Sequence, residues 1–362
     1  MFIELRKREQ ASTSPLLTAS RLVGSVLIAL CIGSILILFK EGNIFEAYGA
    51  LIYGAFGNTN NLSETIVKTV PLLFAALGIV VAFRCQIWNI GAEGQIYFGA
   101  LGAVLIGLYV EGLPRYMHLG LMVLASFAGG MFWGIIPGIL RAKWEANEIL
   151  VTVMMNYIAI LFVSYMCHEP LREPGGWIPQ TAEIAISARL PVLLSQTRLH
   201  GGIFIALLCA LIVYILLSRT TRGYQIRAVG LSPKSAVYGG MSLTGNIIIA
   251  MAISGGLAGL AGMSEVSGIH YRLLDDISPG YGHNAIVVAL LGRLTAGGVV
   301  VSSVLFAALM VGAESMQRKM GLPVSIVYII EGLIILFVLA TENLVRYSVI
   351  LKGFKLKRGT AC

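Results

Sequence analysis

Long, almost uncharged apolar runs recur from one end of the chain to the other, and they limit the possible folds more than any other feature. None of them alternates polar and apolar residues at a period of two, so they indicate helices and not the strands of a membrane barrel. The 362 residues are 57% hydrophobic and 12% charged, which is more apolar than a soluble domain needs. The sequence therefore predicts an all-α integral membrane protein.

Ten of the runs are long enough to cross a bilayer, and we predict about ten transmembrane helices. They lie near residues 22–39, 66–83, 96–111, 119–140, 148–166, 202–218, 246–264, 281–296, 297–315 and 323–341. Little more than the sequence TAGG separates the eighth run from the ninth, so either of these two is a candidate half-helix. The first run follows basic residues as in a signal peptide, but it is too long and has no convincing cleavage site, which favours a retained span.

The distribution of basic residues predicts the orientation. With the N-terminus inside, 17 of the 26 Lys and Arg residues fall on the inner side of the predicted spans. This bias predicts that both termini are cytoplasmic, and it accounts for the net charge of +8 without nucleic acid as a partner. We assign residues 1–21 to a basic cytoplasmic tail, residues 22–345 to a transmembrane domain and residues 346–362 to a second basic cytoplasmic tail.

The residues that carry most enzyme chemistry do not form a recognisable pattern. The five cysteines include no CxxC pair and the five histidines no pair at i and i+4, so the sequence predicts neither a metal site nor a cofactor. The motifs GxSxG, HExxH and GxxxxGK[ST] are absent from the sequence. The chain is therefore predicted not to be an enzyme, and energy for any transport would come from a gradient or from a partner.

One polar stretch, FRCQIWNIGAEGQIYFGA at residues 83–100, interrupts the apolar pattern. Gly91 and Gly94 allow the backbone to leave helical geometry, while Asn89, Glu93 and Gln95 are able to satisfy the freed backbone groups or to face water. A broken helix near the centre of the protein, lining a cavity, fits this pattern best.

Glu93 is the most informative residue of that stretch. An ionisable side chain inside a membrane is costly unless it is paired or hydrated, so it is a candidate functional group, and Arg84 is its candidate partner. The alternative is that Glu93 lies at the cytoplasmic interface between the second and third spans.

A second polar pattern lies along the first half of the fifth predicted span. Asn147, Glu148, Thr152, Asn156 and Tyr157 recur at roughly helical spacing, which predicts a polar face directed into the bundle. Hydrogen bonding between helices and a translocation path explain this face equally well.

Two stretches further along concern the backbone. SGGLAGLAGMSEVSG at residues 254–268 has small residues three and four apart, which predicts close helix packing. His283 and Asn284 begin another apolar run, where Gly280 and Gly282 loosen the backbone.

Two loops stand apart from the spans. Residues 167–201 contain four prolines and the sequence PGGW, which favours a folded external loop that touches an external partner. Residues 218–241 are basic and predict one helical stretch at 223–229 and another in which Ser232 is the N-cap and Pro233 the first residue. The second loop is either a docking element or a solvated positive-inside segment.

Six stretches together resemble one family of proteins. In chain order they are FRCQIWNIGAEGQIYFGALGA, NEILVTVMMNYIA, RLHGGIFIAL, GYQIRAVGLSPKSAVYGGM, SGGLAGLAGMSEVSG and GHNAIVVALLGR. They resemble the permease subunits of bacterial ABC importers in the simple-sugar and branched-chain amino acid superfamily, and most closely its nucleoside-type branch. The similarity extends from about residue 66 to residue 342.

The resemblance implies two pseudo-two-fold halves and a translocation path between two permease subunits. The residues that it and the polar pattern place on the path are Trp88, Asn89, Glu93, Gln95, Asn156, Tyr157 and Asn284. It also implies that the inner loop couples to an ATPase through Gly223, Tyr224, Arg227, Gly230, Ser232, Pro233 and Tyr238. Glu331 is atypical for the family and receives no role.

The implied function is that of a permease subunit of an ATP-driven importer for nucleosides in the bacterial inner membrane. Its implied partners are a cytoplasmic ABC ATPase, a second permease, an extracytoplasmic substrate-binding protein and membrane lipid. Two alternatives stay open, a simple-sugar importer and a gradient-driven secondary transporter that uses Glu93 as a proton or sodium site. An intramembrane enzyme would need a nucleophile or metal constellation that the sequence lacks.

Overall fold

A computed structural model describes residues 2–7, 43–321 and 347–352 without a gap, together with residues 24, 28, 31–35, 37–38, 329, 332–333, 336–337 and 340. Half of the predicted span 22–39 and most of the predicted span 323–341 therefore lie outside the described residues, and so does Glu331. Contacts divide the chain into two units, one made of residues 1–50 and 316–362 and the other of residues 51–315.

The first unit contains a short antiparallel ribbon. Strand β1 (Phe2–Lys7) pairs with strand β2 (Tyr347–Lys352), with Phe2 opposite Lys352. From the sequence, these segments were expected to belong to basic tails, and no strand was predicted in them. Apart from this ribbon and isolated bridges, the regular elements of the described ranges are helices.

The helices follow one another with short connections, apart from one long loop at residues 169–201. In chain order they are α1 (Ile44–Phe56), α2 (Thr59–Arg84), α3 (Ala92–Tyr109), α4 (Arg115–Trp144), α5 (Glu148–His168), α6 (Gly202–Arg219), α7 (Thr221–Leu231), α8 (Pro233–Tyr238), α9 (Leu243–Glu265), α10 (Tyr281–Leu291) and α11 (Ala296–Met320). A π-helical turn at Val266–His270 continues α9, and a short 3-10 turn lies at Ile186–Ala188.

Within the described residues, seven helices are long and apolar enough to cross a membrane. They are α2, α3, α4, α5, α6, α9 with its π-helical turn, and α11. Of the two runs that were candidates for a half-helix, 281–296 contains the short helix: α10 has 11 residues and ends before the turn at Gly292, whereas α11 has 25 residues. Helix α1 was not predicted from the sequence; its 13 residues are apolar but too few for a span.

Helix α9 lies at the centre of the second unit and touches its neighbours through backbone. A Cβ atom added at Gly130 of α4 would lie 2.2 Å from the carbonyl oxygen of Gly255, and one added at Gly99 of α3 would lie 2.2 Å from Cα of Gly259. No side chain fits at these positions. The close packing predicted from the small residues of 254–268 is therefore confirmed.

Burial differs sharply among the helices. In the apolar 18-residue stretch of α2, 89% of the residues are buried inside the chain, whereas in that of α4 only 22% are. Large apolar side chains such as Phe132, Leu161 and Leu211 are exposed on α4, α5 and α6. Apolar faces of this size are stable only against lipid or another protein.

Candidate functional site

The polar stretch of the sequence forms an irregular segment between α2 and α3. Helix α2 ends at Arg84, α3 begins at Ala92, and Gln86 has a φ of 59° in the turn between them. Residues 85–91 thus leave several backbone groups without helical partners. The predicted broken helix corresponds to this segment.

Asn89 pairs one of these backbone groups and links the segment to two other side chains. Its Oδ1 accepts from the backbone N–H of Gly91 at 3.0 Å, and its Nδ2 donates to Oγ of Ser254 at 2.8 Å and to Oε1 of Gln95 at 3.0 Å. Asn89 and Gln95 are both buried inside the chain. These amides stabilise the break and tie it to α9.

Asn156 of α5 supports the same segment from the other side. Its Oδ1 accepts from the N–H of Gly94 at 2.8 Å, and its Nδ2 donates to the carbonyl oxygen of Ile90 at 2.9 Å. The side chain therefore pairs one donor and one acceptor that the break leaves free. Of the two readings of the polar face of α5, these contacts favour interhelical hydrogen bonding for Asn156.

Glu93 binds the start of helix α10. Its Oε2 accepts from the backbone N–H of Gly282 at 2.6 Å and lies 3.6 Å from Nδ1 of His283. A carboxylate at this position offsets the positive end of the α10 dipole. Arg84, the partner expected from the sequence, instead donates from Nε to the carbonyl oxygen of Leu294 at 2.9 Å.

The two ends of α10 define how far Glu93 lies from Arg84. Arg84 contacts the turn after α10, whereas Glu93 contacts its first turn. Eleven residues of α-helix span roughly 16 Å, about half of the 30 Å hydrocarbon core. The contact of Asn89 with Ser254, near the middle of α9, agrees with this depth. The geometry thus favours membrane depth over the interface reading for Glu93.

The seven residues predicted for the path fall into two groups. Asn89, Glu93, Gln95 and Asn156 are buried inside the chain. Asn89 bonds to Gln95, Asn156 bonds to the backbone of Gly94, and Glu93 bonds to the start of α10. Trp88 is 46% exposed, Asn284 is half-buried, and Tyr157 is exposed. The structure does not bring the second group together with the first.

The loop at residues 218–241 contains two short helices, as expected. Thr220 caps α7 by accepting from the N–H of Gly223 at 3.0 Å, and Ser232 caps α8 by accepting from the N–H of Ser235 at 3.4 Å. Pro233 is at the first turn of α8, so the predicted cap and first residue are confirmed.

One face of this helix pair packs against the spans and the other is exposed. A Cβ atom added at Gly230 would lie 2.3 Å from the carbonyl oxygen of Arg84, so α7 touches the end of α2 directly. Tyr224 and Leu231 of α7 and Tyr238 of α8 are exposed, and Tyr238 is 93% exposed. We call Tyr224, Leu231, Val237 and Tyr238 the inner apolar surface; all four are exposed.

The 169–201 loop is held by ion pairs. Arg272 contacts Glu173 at 3.1 Å and Glu183 at 2.6 Å, and Arg189 contacts Glu183 at 2.6 Å. Hydrogen bonds from Arg272 and then Arg189 hold the pKa of the Glu183 carboxyl below its usual range. The predicted folded loop is confirmed, and Trp177 of its PGGW sequence is almost fully exposed.

His200 lies at the end of this loop. Its ring is buried against Gly268 in the π-helical turn, where a Cβ atom would lie 2.6 Å from the ring. Nδ1 accepts from the N–H of Gly202 at 3.2 Å, while Nε2 has no hydrogen-bond partner among the described residues. Burial lowers the pKa of His200 to about 4.

Sequence reasoning missed three contributors to this site. Ser254 was grouped with the packing residues, although it bonds to Asn89. Gly282 and His283 were noted for their place at the start of an apolar run, but their contact with Glu93 was not foreseen. The sequence does show Gly282 beside His283 at the start of a short apolar run. That pattern does not indicate that Glu93 is their partner.

These features define a class of protein: a multi-pass helical membrane protein with an irregular polar segment between two of its long helices and an exposed helix pair beyond the end of one of them. A comparison with protein families then gives the particular family. The chain belongs to the family described as branched-chain amino acid transport system / permease component, which matches residues 61–339. Members of this family are transport subunits and not enzymes, which leaves no support for an intramembrane enzyme.

Three relatives cover most of the chain. The guanosine ABC transporter permease protein NupP of Bacillus subtilis (strain 168) is 37% identical over 327 residues, covering 89% of this chain and 93% of the relative. A glucose ABC transporter permease protein of Haloferax volcanii is 32% identical over 359 residues, or 96% and 94% of the two chains. The nucleoside ABC transporter permease protein NupB of Lactococcus lactis subsp. cremoris is 31% identical over 325 residues, or 87% and 88%.

Proposed function

We propose that this chain is a permease subunit of an ATP-driven importer and that its cargo is a nucleoside. The observation that carries the proposal is the 37% identity, over 89% of the chain, to a guanosine ABC transporter permease. The nucleoside permease of Lactococcus lactis adds support across a similar share of the chain. The chain makes no covalent chemistry in this proposal, and a partner subunit hydrolyses ATP.

The inner apolar surface is the proposed contact for that ATPase. It is exposed, it lies on short capped helices, and α7 touches the end of α2 at Gly230 without intervening side chains. A force applied to α7 would therefore reach α2 and the break directly. Arg227, half-buried on α7, is close enough to Arg84 to interact electrostatically.

The remaining features of the proposal extend the family resemblance. The chain has ten membrane segments in two pseudo-two-fold halves, counting the predicted segments 22–39 and 323–341 and the short α10. It occupies the bacterial inner membrane with both tails, residues 1–21 and 346–362, in the cytoplasm. A second permease and an extracytoplasmic substrate-binding protein complete the importer, and the 169–201 loop faces the latter.

A simple sugar is the second candidate cargo. The glucose permease of Haloferax volcanii is 32% identical over 96% of this chain, so the shared architecture does not separate the two cargo classes. A nucleoside carries ribose hydroxyls as a sugar does, and it adds an aromatic base.

The test is uptake of radiolabelled guanosine and glucose by cells with and without this chain. ATP and the proton gradient are depleted separately. We expect guanosine uptake that depends on this chain and falls with ATP. Glucose uptake with the same dependence would instead support the sugar importer, and uptake that follows the gradient would contradict the ATP-driven mechanism.

A further inference from the structure

His283 is a polar side chain in a position where most side chains are apolar. It is in the first turn of α10, next to Glu93, and 56% of its side chain is exposed on the surface of this chain. As argued above, this end of α10 lies roughly 16 Å, about half a hydrocarbon core, from the turn that contacts Arg84. An imidazole exposed to lipid at that depth would be costly, because its ring nitrogens would lose their hydrogen bonds to water.

We infer that His283 faces the water-filled substrate path and accepts a hydrogen bond from the cargo. The inference rests on the proposed function and identifies a residue outside the predicted path set. Exposure at membrane depth distinguishes His283 from Asn89, Glu93 and Gln95, whose side chains are buried inside this chain. The buried residues hold the path wall together, and His283 is on its surface.

Glu93 is the positioning residue for this imidazole. The N–H of Gly282 fixes the carboxylate at 2.6 Å, and Nδ1 of His283 lies 3.6 Å from the same oxygen. A carboxylate on that side favours the tautomer with its proton on Nδ1, so Nε2 is left as an acceptor. An acceptor suits the hydroxyl and N–H donors of a nucleoside.

A matched position exists on the neighbouring helix α11. Oγ of Ser302 donates to the carbonyl oxygen of Val288 at 2.8 Å, so these two residues are at the same depth on α11 and α10. His283 lies about one turn before Val288 and Leu305 about one turn after Ser302, so the two are at similar depth on antiparallel helices. Leu305 is 57% exposed but apolar, which fits a lipid-facing or protein-facing position.

The first experiment measures hydration and needs no substrate. In the assembled importer, the five native cysteines are replaced and then His283→Cys or Leu305→Cys is introduced. A thiol reacts with a charged methanethiosulfonate reagent only where water allows the thiolate to form. We expect at least about tenfold faster reaction at position 283 than at position 305; equal, slow reaction at both positions overturns the inference.

The second experiment measures contact with the cargo. Guanosine, 2′,3′-dideoxyguanosine and N1-methylguanosine are compared as competitors of uptake in the parent, His283→Leu and His283→Gln importers. We expect His283→Leu to reduce discrimination against one of the two analogues by about tenfold, or 1.4 kcal/mol, because the analogue lacks the donor that Nε2 accepts. His283→Gln, which keeps an acceptor, should recover part of it.

A purely structural role for His283 would slow uptake of all three compounds alike and leave the ratios unchanged, which contradicts the inference. Failure of the parent importer to take up guanosine would overturn the proposed cargo instead. The thiol experiment would still decide whether position 283 is hydrated.

Discussion

The break between α2 and α3 and the helix pair α7 and α8 were both predicted from the sequence, and the structure shows them to be different kinds of region. In and directly after the break, Asn89, Glu93 and Gln95 are buried and bond to other parts of the same chain. In the helix pair, Leu231 and Tyr238 are exposed. An unusual residue in a membrane sequence is therefore either an internal brace or a contact surface, and burial separates the two.

The largest effect is expected for a variant of Asn89. Asn89→Leu removes the partners of Gly91 N–H, Gln95 and Ser254 at once, so we expect about 4 kcal/mol loss of stability. The measurement is the thermal unfolding midpoint of the purified protein in detergent, together with the yield of inserted protein. Asn60→Leu, at an exposed position of α2, should stay within about 0.5 kcal/mol of the parent. Equal behaviour of the two variants would mean that Asn89 is not a brace.

His200 differs from the buried residues of the break in one respect. It is buried as they are, but its Nε2 lacks a hydrogen-bond partner in the described part of the chain. Its pKa is about 4 when folded, against an ordinary 6.5, so the unfolded chain binds the proton more readily. Stability is then full above pH 6.5 and falls as the pH drops towards 4, by about 3 kcal/mol in total. Thermal midpoints across this range measure the slope.

Two variants separate this histidine from the others. His200→Leu should flatten the dependence on pH between 6.5 and 4, because it removes the group that titrates. His168→Leu, at an exposed position, should keep the parent slope. A parent slope retained in His200→Leu would assign the dependence to another group.

The inner apolar surface should show the opposite behaviour to the break. Leu231→Asp and Tyr238→Ala change exposed side chains, so we expect unchanged thermal midpoints but at least about tenfold lower uptake and loss of ATPase copurification. Trp177→Ala removes an equally exposed aromatic from the 169–201 loop and should leave ATPase copurification intact. Copurification unchanged in all three variants would remove the docking role.

Gly230 is a poor position for the same test. Any side chain there meets the carbonyl oxygen of Arg84, so Gly230→Glu would disturb the contact between α7 and α2 whether or not an ATPase binds. Exposed residues on the far side of the pair avoid this ambiguity.

The smallest effect is expected for Glu93→Gln. The amide oxygen still accepts from Gly282 N–H, but the charge that favours the start of α10 and orients His283 is lost. We expect about 1 kcal/mol loss of stability and a severalfold lower uptake without unfolding. Normal uptake in this variant would show that the carboxylate charge does not matter for transport.

Sequence periodicity predicted the long helices well. The bounds expected for α5 and α6, 148–166 and 202–218, differ from those observed by two residues or fewer, because each is a continuous apolar run between polar ends. The cap of α8 was also predictable, since Ser232 and Pro233 act within a few residues of chain. Local signals of this kind do not depend on the rest of the fold.

Contacts between distant residues could not be predicted in the same way. Glu93 and Gly282 are 189 positions apart, and nothing in either neighbourhood names the other. Arg84 is the basic residue nearest to Glu93 in the sequence, yet it bonds to Leu294, which follows the C-terminal end of α10. The length of α10 was misjudged because its apolar run continues into the next helix and only the turn at Gly292 separates them.

The bare contacts that α9 makes with α3 and α4 also limit how the protein changes shape. Where Gly99 and Gly130 meet α9, no side chains lie between the backbones to change rotamer as the helices slide. Sliding or rolling would bring carbonyl groups into collision. The three helices should therefore move as one rigid body, and a change between inward-open and outward-open forms would come from parts of the importer outside this contact.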